Sequence, residues 1–477
     1  MSAVLDRIRN SVVKVFTQSD APDYDQPWQT EGVASSVGSG LVVSTQRGPR
    51  VLTNAHVVEN QVFIEVRRYG QSGKQVAHLD GVGHECDLAL LTVENEAFFR
   101  GADPIEVGEL PRLGDQVTVL GYPIGGDRLS LTQGIVSRIE MSPYVQSQRR
   151  LLSVQIDAAI NAGNSGGPVV NPKGHLVGVA FQSLDEAENI GYMIGSPVVR
   201  HFLVDMESGT FDGFPDLGIV IQGLGSKAHR RSLGLPARRK GGVLVTDVVC
   251  GGSAWGSLRR GDVLLRVGRH RVAEDGSVSF RKGERIDLSH LVSERHVDET
   301  LRVEFWRRGE IHRAAIRLKP PKYLVPEDRF DVRPTFYLHA GLLFVPLTRD
   351  YLKTWGSEWW SAAPSELMAI YESGIRTASR REVVILQKVL ADEVNQGYHD
   401  LTSKVVVRVQ GKKIRDLRHL IGIVEAARGD FLRFEFDDRS AVVMDRVLAE
   451  RRHEEILHRF GVPADRSSDL VKPGKGQ

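Results

Sequence analysis

The sequence predicts a mainly β chain: an N-terminal domain of short strands closed into a barrel or sandwich, then two copies of a smaller α+β module. Three observations point there. Between residues 11 and about 204, short β-rich runs are split by Gly, Asn, Asp and Pro at close intervals. Helix-period segments are nearly absent from that stretch, which argues against a parallel sheet of alternating strands and helices. Beyond it, two stretches repeat the same series of motifs in the same order.

In chain order, the strand runs are "SVVKVF", "GSGLVVS", "VFIEV", "LALLTV", "DQVTVLGYP", "LLSVQI" and "HLVGVAFQ". Residues 207–215, "ESGTFDGFP", and 319–328, "KPPKYLVPED", read as linkers. The first module carries "DVLLRVGRHRV", "DLSHL" and "LRVEF"; the second carries "KVVVRVQGKKI", "DLRHL" and "LRFEF". Each series reads as a strand, a glycine turn, an amphipathic helix and a final strand. The expected boundaries are 1–206, 216–320 and 330–445, with a C-terminal charged helix and polar tail over 446–477.

Of the 477 residues, 41% are hydrophobic and 26% charged, a globular balance with room for several cores. A net charge of +2 implies no overall pull toward nucleic acid. Cys86 and Cys250 sit in apolar runs and read as buried thiols rather than a disulfide framework. No run approaches 18 apolar residues, so no membrane span is expected. The N-terminus shows no apolar stretch of a secretory signal, and a cytoplasmic setting is expected.

The chemistry centres on "NAGNSGGPVV", in which Ser165 is wrapped by glycines and fits G-x-S-x-G. A serine hydroxyl needs a base to take its proton and a carboxylate to orient that base. "VLTNAHVVEN" supplies His56 and "HECDLALLTV" supplies Asp87, each beside a strand. The order His56, Asp87, Ser165 is the chymotrypsin-type order, whereas an α/β-hydrolase runs Ser, Asp, His. The order therefore decides for a chymotrypsin-type protease. The stretch Gly163, Asn164 and Ser165 is the candidate oxyanion hole, with the Gly163 and Ser165 N–H groups aimed at one point. Gly166 and Gly167 leave room for a substrate backbone.

Together "GSGLVVS", "VLTNAHVV", "DLALL", "GYPIG", "TQGIVS" and "QIDAAINAGNSGGPVVNPKGHLVGV" resemble the HtrA/Deg family of serine endopeptidases, over nearly all of residues 10–205. "VLADEVNQGY" and "FGVPADRSSDL" resemble the C-terminal part of plant-type Deg proteases. The resemblance implies an ATP-independent protease with a chymotrypsin-like double β-barrel, followed by two PDZ-like α+β domains, the second degenerate. It also implies a trimer-based homo-oligomer acting on unfolded or damaged proteins without a cofactor. It assigns His56 as general base, Asp87 as its orienting group and Ser165 as nucleophile. Asn164 stands where secreted relatives of this fold carry an aspartate that pairs with a freed N-terminus, so zymogen-style activation is not expected. Ala159, six residues before the nucleophile, would form the base of the S1 pocket, with Ile190, Tyr192 and Met193 as walls. That set implies preference for small or medium apolar P1 residues. Asp216, Leu217, Gly218 and Ile219 resemble the loop with which a PDZ domain captures a peptide C-terminus. "AGLLFV" (340–345) takes the same place in the second copy but departs from the pattern.

Two other motifs fail on spacing. The histidines of "HEEILH" lie five apart, about 140° around a helix, and cannot share a metal as H-E-x-x-H does. "GQSGKQ" is too short for a phosphate-binding loop. No metal or nucleotide is expected. The rival reading is a PDZ scaffold or holdase whose barrel is latent or inactive.

Overall fold

The computed structural model describes residues 2–123, 126–160, 163–183 and 191–471. The chain divides into two compact units. One comprises Met1–Ser19 and Val33–Pro321; the other comprises Asp20–Gly32 and Lys322–Gln477.

The first unit opens with helix α1 (Ser2–Arg9), followed by six strands: β1 (Val12–Pro22), β2 (Thr30–Thr45), β3 (Gly48–Thr53), β4 (Gln61–Arg68), β5 (Gln75–Gly83) and β6 (Leu88–Val93). These close into a barrel in the order β1-β2-β3-β6-β5-β4. A second closed barrel, ordered β10-β11-β12-β9-β8-β7, uses β7 (Gln116–Gly121), β8 (Ser130–Pro143), β9 (Arg150–Ile156), β10 (Pro168–Val170), β11 (Leu176–Ser183) and β12 (Gly191–Gly195). Period-2 alternation decides which way each side chain faces. On β6, Ala89 and Leu91 fill the first barrel with Val13, Val51 and Val66. Leu88 and Leu90 face the other way and join Leu41, Leu52, Leu120 and Tyr122. The second barrel is filled by Val117, Val136, Val154, Val169, Val177 and Met193.

Helix α2 (Ser196–Asp205) follows, and then a module of α3 (Lys227–Ser232), α4 (His290–Ser293) and strands β13 (Ile219–Gln222), β14 (Val243–Val248), β15 (Val263–Val267), β16 (His270–Arg271), β17 (Ser277–Ser279), β18 (Arg285–Asp287), β19 (Thr300–Arg307) and β20 (Glu310–Arg317). Its main sheet runs β13-β14-β15-β19-β20, so β13 is an edge strand. The stretch 207–215, expected as a linker, is packed instead. Phe214 is buried, its N–H donates to Glu85 Oε2 at 3.2 Å, and its carbonyl accepts from Arg149 Nη2 at 2.8 Å. Two phenylalanines in nine residues are enough apolar surface to hold such a segment down.

The second unit holds β21 (Tyr337–His339), β22 (Leu342–Pro346), β23 (Val384–Val389), β24 (Lys404–Val409), β25 (Lys412–Lys413), β26 (Phe431–Phe436) and β27 (Ala441–Asp445). Helices α5 (Arg349–Lys353), α6 (Trp359–Ala362), α7 (Ser365–Ser373), α8 (Leu417–Glu425) and α9 (Arg446–Arg459) complete it. Leu324 and Val325, in the other expected linker, belong to its core. Asp20–Gly32 docks here as well: Gln387 Nε2 donates to the Tyr24 and Asp25 carbonyls at 3.0 Å, and Trp28 meets Phe336 edge-on. Nothing in the motif pattern of the second module signals that partner.

Candidate active site

His56 lies in the turn after β3, Asp87 immediately before β6, and Ser165 just before β10. Asp87 takes a left-handed conformation, φ 55°, which Asp tolerates better than most residues, and its buried carboxylate lies against His56. The carboxylate is 1% exposed and holds His56 twice. Oδ1 accepts the His56 backbone N–H at 2.9 Å, and Oδ2 lies 2.8 Å from Nδ1. That pairing puts the Nδ1 proton between the two groups and leaves Nε2 free to accept another. Burial pushes the imidazole down, but the Asp87 charge and hydrogen bond, with Glu59 beyond them, outweigh it and raise His56 above its ordinary value. The ring remains 22% exposed. Cys86, next to Asp87, is no rival nucleophile: burial, with the nearby Glu85 and Asp87 charges, pushes its thiol well up and keeps it protonated.

Around Ser165 the backbone is tightly specified. Gly166 has φ +84°, and a Cβ there would sit 2.1 Å from the Ser39 carbonyl and 2.5 Å from Thr53 Oγ1. At Gly167 a Cβ would meet the Leu120 carbonyl at 2.2 Å. The room these glycines make is therefore filled by the chain itself, not reserved for substrate as expected. Gly163 is also left-handed, φ 96°. Among the described residues, the N–H groups of Gly163 and Ser165 have no hydrogen-bond partner. Ser165 Oγ bonds to the Phe181 carbonyl at 3.5 Å. Asn164 is buried, and its Oδ1 has no partner among the described residues.

Three residues that sequence reasoning missed hold these parts together. The Ser39 N–H donates to the Ser165 carbonyl at 2.8 Å and its hydroxyl to the Gly163 carbonyl at 2.7 Å, while the hydroxyl accepts from Tyr122 N–H at 2.7 Å. Thr53 Oγ1 donates to the Ser39 carbonyl at 2.6 Å, and Asn54 Nδ2 to the Asp87 carbonyl at 2.8 Å. Ser39 thus fixes the Ser165 turn from the strand that carries "GSGLVVS"; the glycines around it were the signal available.

The S1 candidates are divided. Ala159 is half-buried, and its carbonyl accepts from Thr132 Oγ1 at 3.0 Å. Met193 is fully buried inside the second barrel, and Tyr192 beside it is half-buried on the opposite face of β12. Ile190 lies outside the described residues.

In the first module, Asp216 Oδ1 takes the Gly218 N–H at 2.6 Å, while the Leu217 and Gly218 carbonyls accept from Ala254 and Val249. Ser253 Oγ donates to the Asp216 carbonyl. Ile219 starts edge strand β13. The second module differs at the same place. There β22 is paired on both sides, by β21 and β23, and Asn395 Nδ2 donates to the Ala340 and Leu390 carbonyls.

Residues 38–179 match the trypsin-like peptidase domain family, and residues 325–469 match the PDZ domain family. The chain is 39% identical to Protease Do-like 2, chloroplastic, of Arabidopsis thaliana, over 97% of this chain and 76% of the relative. It is 37% identical to Protease Do-like 4, mitochondrial, of the same plant, over 98% of this chain and 87% of that one. Among solved structures, the HtrA-type protease AlgW with tripeptide superposes with a TM-score of 0.51 at 25% identity, covering 67% of this chain and 97% of that one. No described helix is long and apolar enough to cross a membrane. With two barrels, a matching PDZ domain and relatives alike over nearly its whole length, the chain belongs to the Do-like, or HtrA/Deg, family of serine proteases.

Proposed function

We propose that the chain is an ATP-independent endopeptidase that cleaves unfolded or damaged proteins through an acyl-enzyme, with His56, Asp87 and Ser165 as its triad. The observation that carries this reading is the doubly bonded Asp87–His56 pair, two residues from the Thr53–Asn54 stretch that packs on Gly166 of the serine turn, whose Gly163 and Ser165 N–H groups have no partner among the described residues. In the reaction, Ser165 Oγ turns from the Phe181 carbonyl to His56 Nε2, which takes its proton as Oγ attacks the scissile carbonyl. The Gly163 and Ser165 N–H groups then hold the developing oxyanion. The imidazolium returns its proton to the leaving amine, and water repeats the sequence to release the acid. Attack needs neutral His56, so acid suppresses the rate. Because His56 lies above its ordinary value, the acid limb of kcat/KM should have its midpoint above pH 6.5. A limb centred below that would argue against His56 as the base.

Substrate choice follows from Ala159, which offers no carboxylate to a basic P1 side chain. A peptide library should show cleavage after small or medium apolar residues; dominant cleavage after Lys or Arg would refute it. The edge strand β13 suits capture of a peptide C-terminus by strand addition, with Asp216, Leu217, Gly218 and Ile219 as the loop at its start; the Gly218 N–H would exchange its bond to Asp216 Oδ1 for one to the carboxylate. Strand β22, paired on both sides, is closed to that mode, which supports an assembly role for the second module. Light scattering should give a multiple of three chains per particle, and deletion of 330–477 should lower that number; an unchanged number of chains would remove the assembly role. The free Cys86 and Cys250 suit a reducing compartment, whether cytoplasm or an organelle of the kind named for the relatives.

A further inference from the structure

A second cluster of reactive side chains lies within the first unit, between α2 and the loop that follows α4. On α2, His201 and Asp205 are four residues apart and so share one helix face. His296 approaches from the α4–β19 loop. One ligand atom from each of the three lies within 4.8 Å of those of the other two. His201 and Asp205 are 5% and 3% exposed in their side chains, and His296 is 34% exposed.

Two features of this cluster are unusual for a purely structural contact. His201 Nε2 and Asp205 Oδ2 are both buried without a hydrogen-bond partner among the described residues, although they face each other at 3.6 Å. A buried polar atom left unbonded is costly, and one on each side of the same gap leaves room for a shared third species. The gap also opens on a cavity of about 390 Å³, lined in part by His290, Glu294 and Glu299. Two arginines also line it: Arg295 is paired with Glu299 at 3.1 Å and Arg200 with Glu109 at 3.5 Å.

We infer that His201, Asp205 and His296 form a binding site for a zinc-class divalent cation. Two imidazoles and one carboxylate, with a fourth position open to a cavity for water, are a donor set suited to such an ion. His201 offers Nε2, Asp205 offers Oδ2, and His296 offers Nδ1, which now lies 2.6 Å from Asp205 Oδ1. Binding requires Nδ1 of His296 to give up any proton it holds, either to its own Nε2 or to solvent. It also requires a ring to turn. His201 is stacked between Phe214 and His296, at centroid distances of 4.1 and 4.0 Å, so the more exposed His296 is the ring with room to swing. The ion would tie the barrel helix α2 to the first PDZ-like module, adding to the His296–Asp205 bond and to the bonds that Arg281 donates to the Leu110 and Pro111 carbonyls. The HxxxD spacing in "HFLVD" was visible in the sequence; its third member, 91 residues on, was not.

The test uses the full chain carrying Ser165→Ala, stripped of metal with chelator and titrated with zinc chloride by calorimetry. One equivalent per chain should bind. His296→Ala and Asp205→Asn should each weaken binding by more than the ~10–100-fold lost when a group that only orients a ligand is removed. Diffraction from zinc-soaked crystals at the zinc edge should place an anomalous peak within bonding distance of the Asp205 carboxylate. This readout does not depend on either variant folding. No saturable uptake, uptake unchanged in both variants, or a peak elsewhere would each overturn the proposal.

Discussion

Ser165→Ala should abolish hydrolysis of casein and of short peptides, with a loss on the order of 10⁶-fold in kcat, as expected when the nucleophile of a working triad is removed. The methyl group fits where the hydroxymethyl was, since the one described bond lost is the 3.5 Å contact to Phe181. The fold should therefore survive, and thermal unfolding should change little. The same pair of proteins separates the two functional readings. If wild type digests casein and the variant does not, the barrel is a working protease. If neither digests it while both still suppress aggregation of a heated client protein, the holdase reading stands instead.

Asp87→Asn should be the next largest loss, about 10⁴-fold in kcat at neutral pH. The amide can still accept the His56 backbone N–H through its oxygen, so the turn keeps its shape. Its NH₂, however, faces Nδ1 and donates where the carboxylate accepted, which favours the wrong imidazole tautomer. The charge that raises His56 is also lost, so burial should dominate and the acid limb of the residual activity should move to lower pH. Steady-state kinetics over pH 5–9 would read both effects. A tenfold loss or less, with the limb unmoved, would mean that Asp87 only braces the turn.

How much of this was legible in the sequence depends on whether a feature is local. The barrels were, because short strands split by turn residues announce themselves within eight to twelve residues. The order of His56, Asp87 and Ser165 was enough to select between two folds that share G-x-S-x-G. What escaped is what depends on pairing across the chain. Phe211 and Phe214 make 207–215 part of the core, although the Gly and Pro around them read as linker. Gly166 and Gly167 are crowded by atoms of Ser39, Thr53 and Leu120, from strands 47 to 127 residues earlier, so no local pattern shows what fills the space beside them. Likewise "AGLLFV" looked like a weakened peptide-binding loop, when the decisive fact is that β22 has a strand on each side. Of the cluster at His201, Asp205 and His296, the first two are local, but the third comes from 91 residues on.

The most direct test of the central claim is covalent labelling with a fluorophosphonate, followed by mass spectrometry of the digested chain. A single adduct should form on the Ser165 hydroxyl, faster as pH rises through the His56 titration, and be lost in His56→Ala. An adduct on another serine, or none under conditions where the protein digests casein, would contradict it.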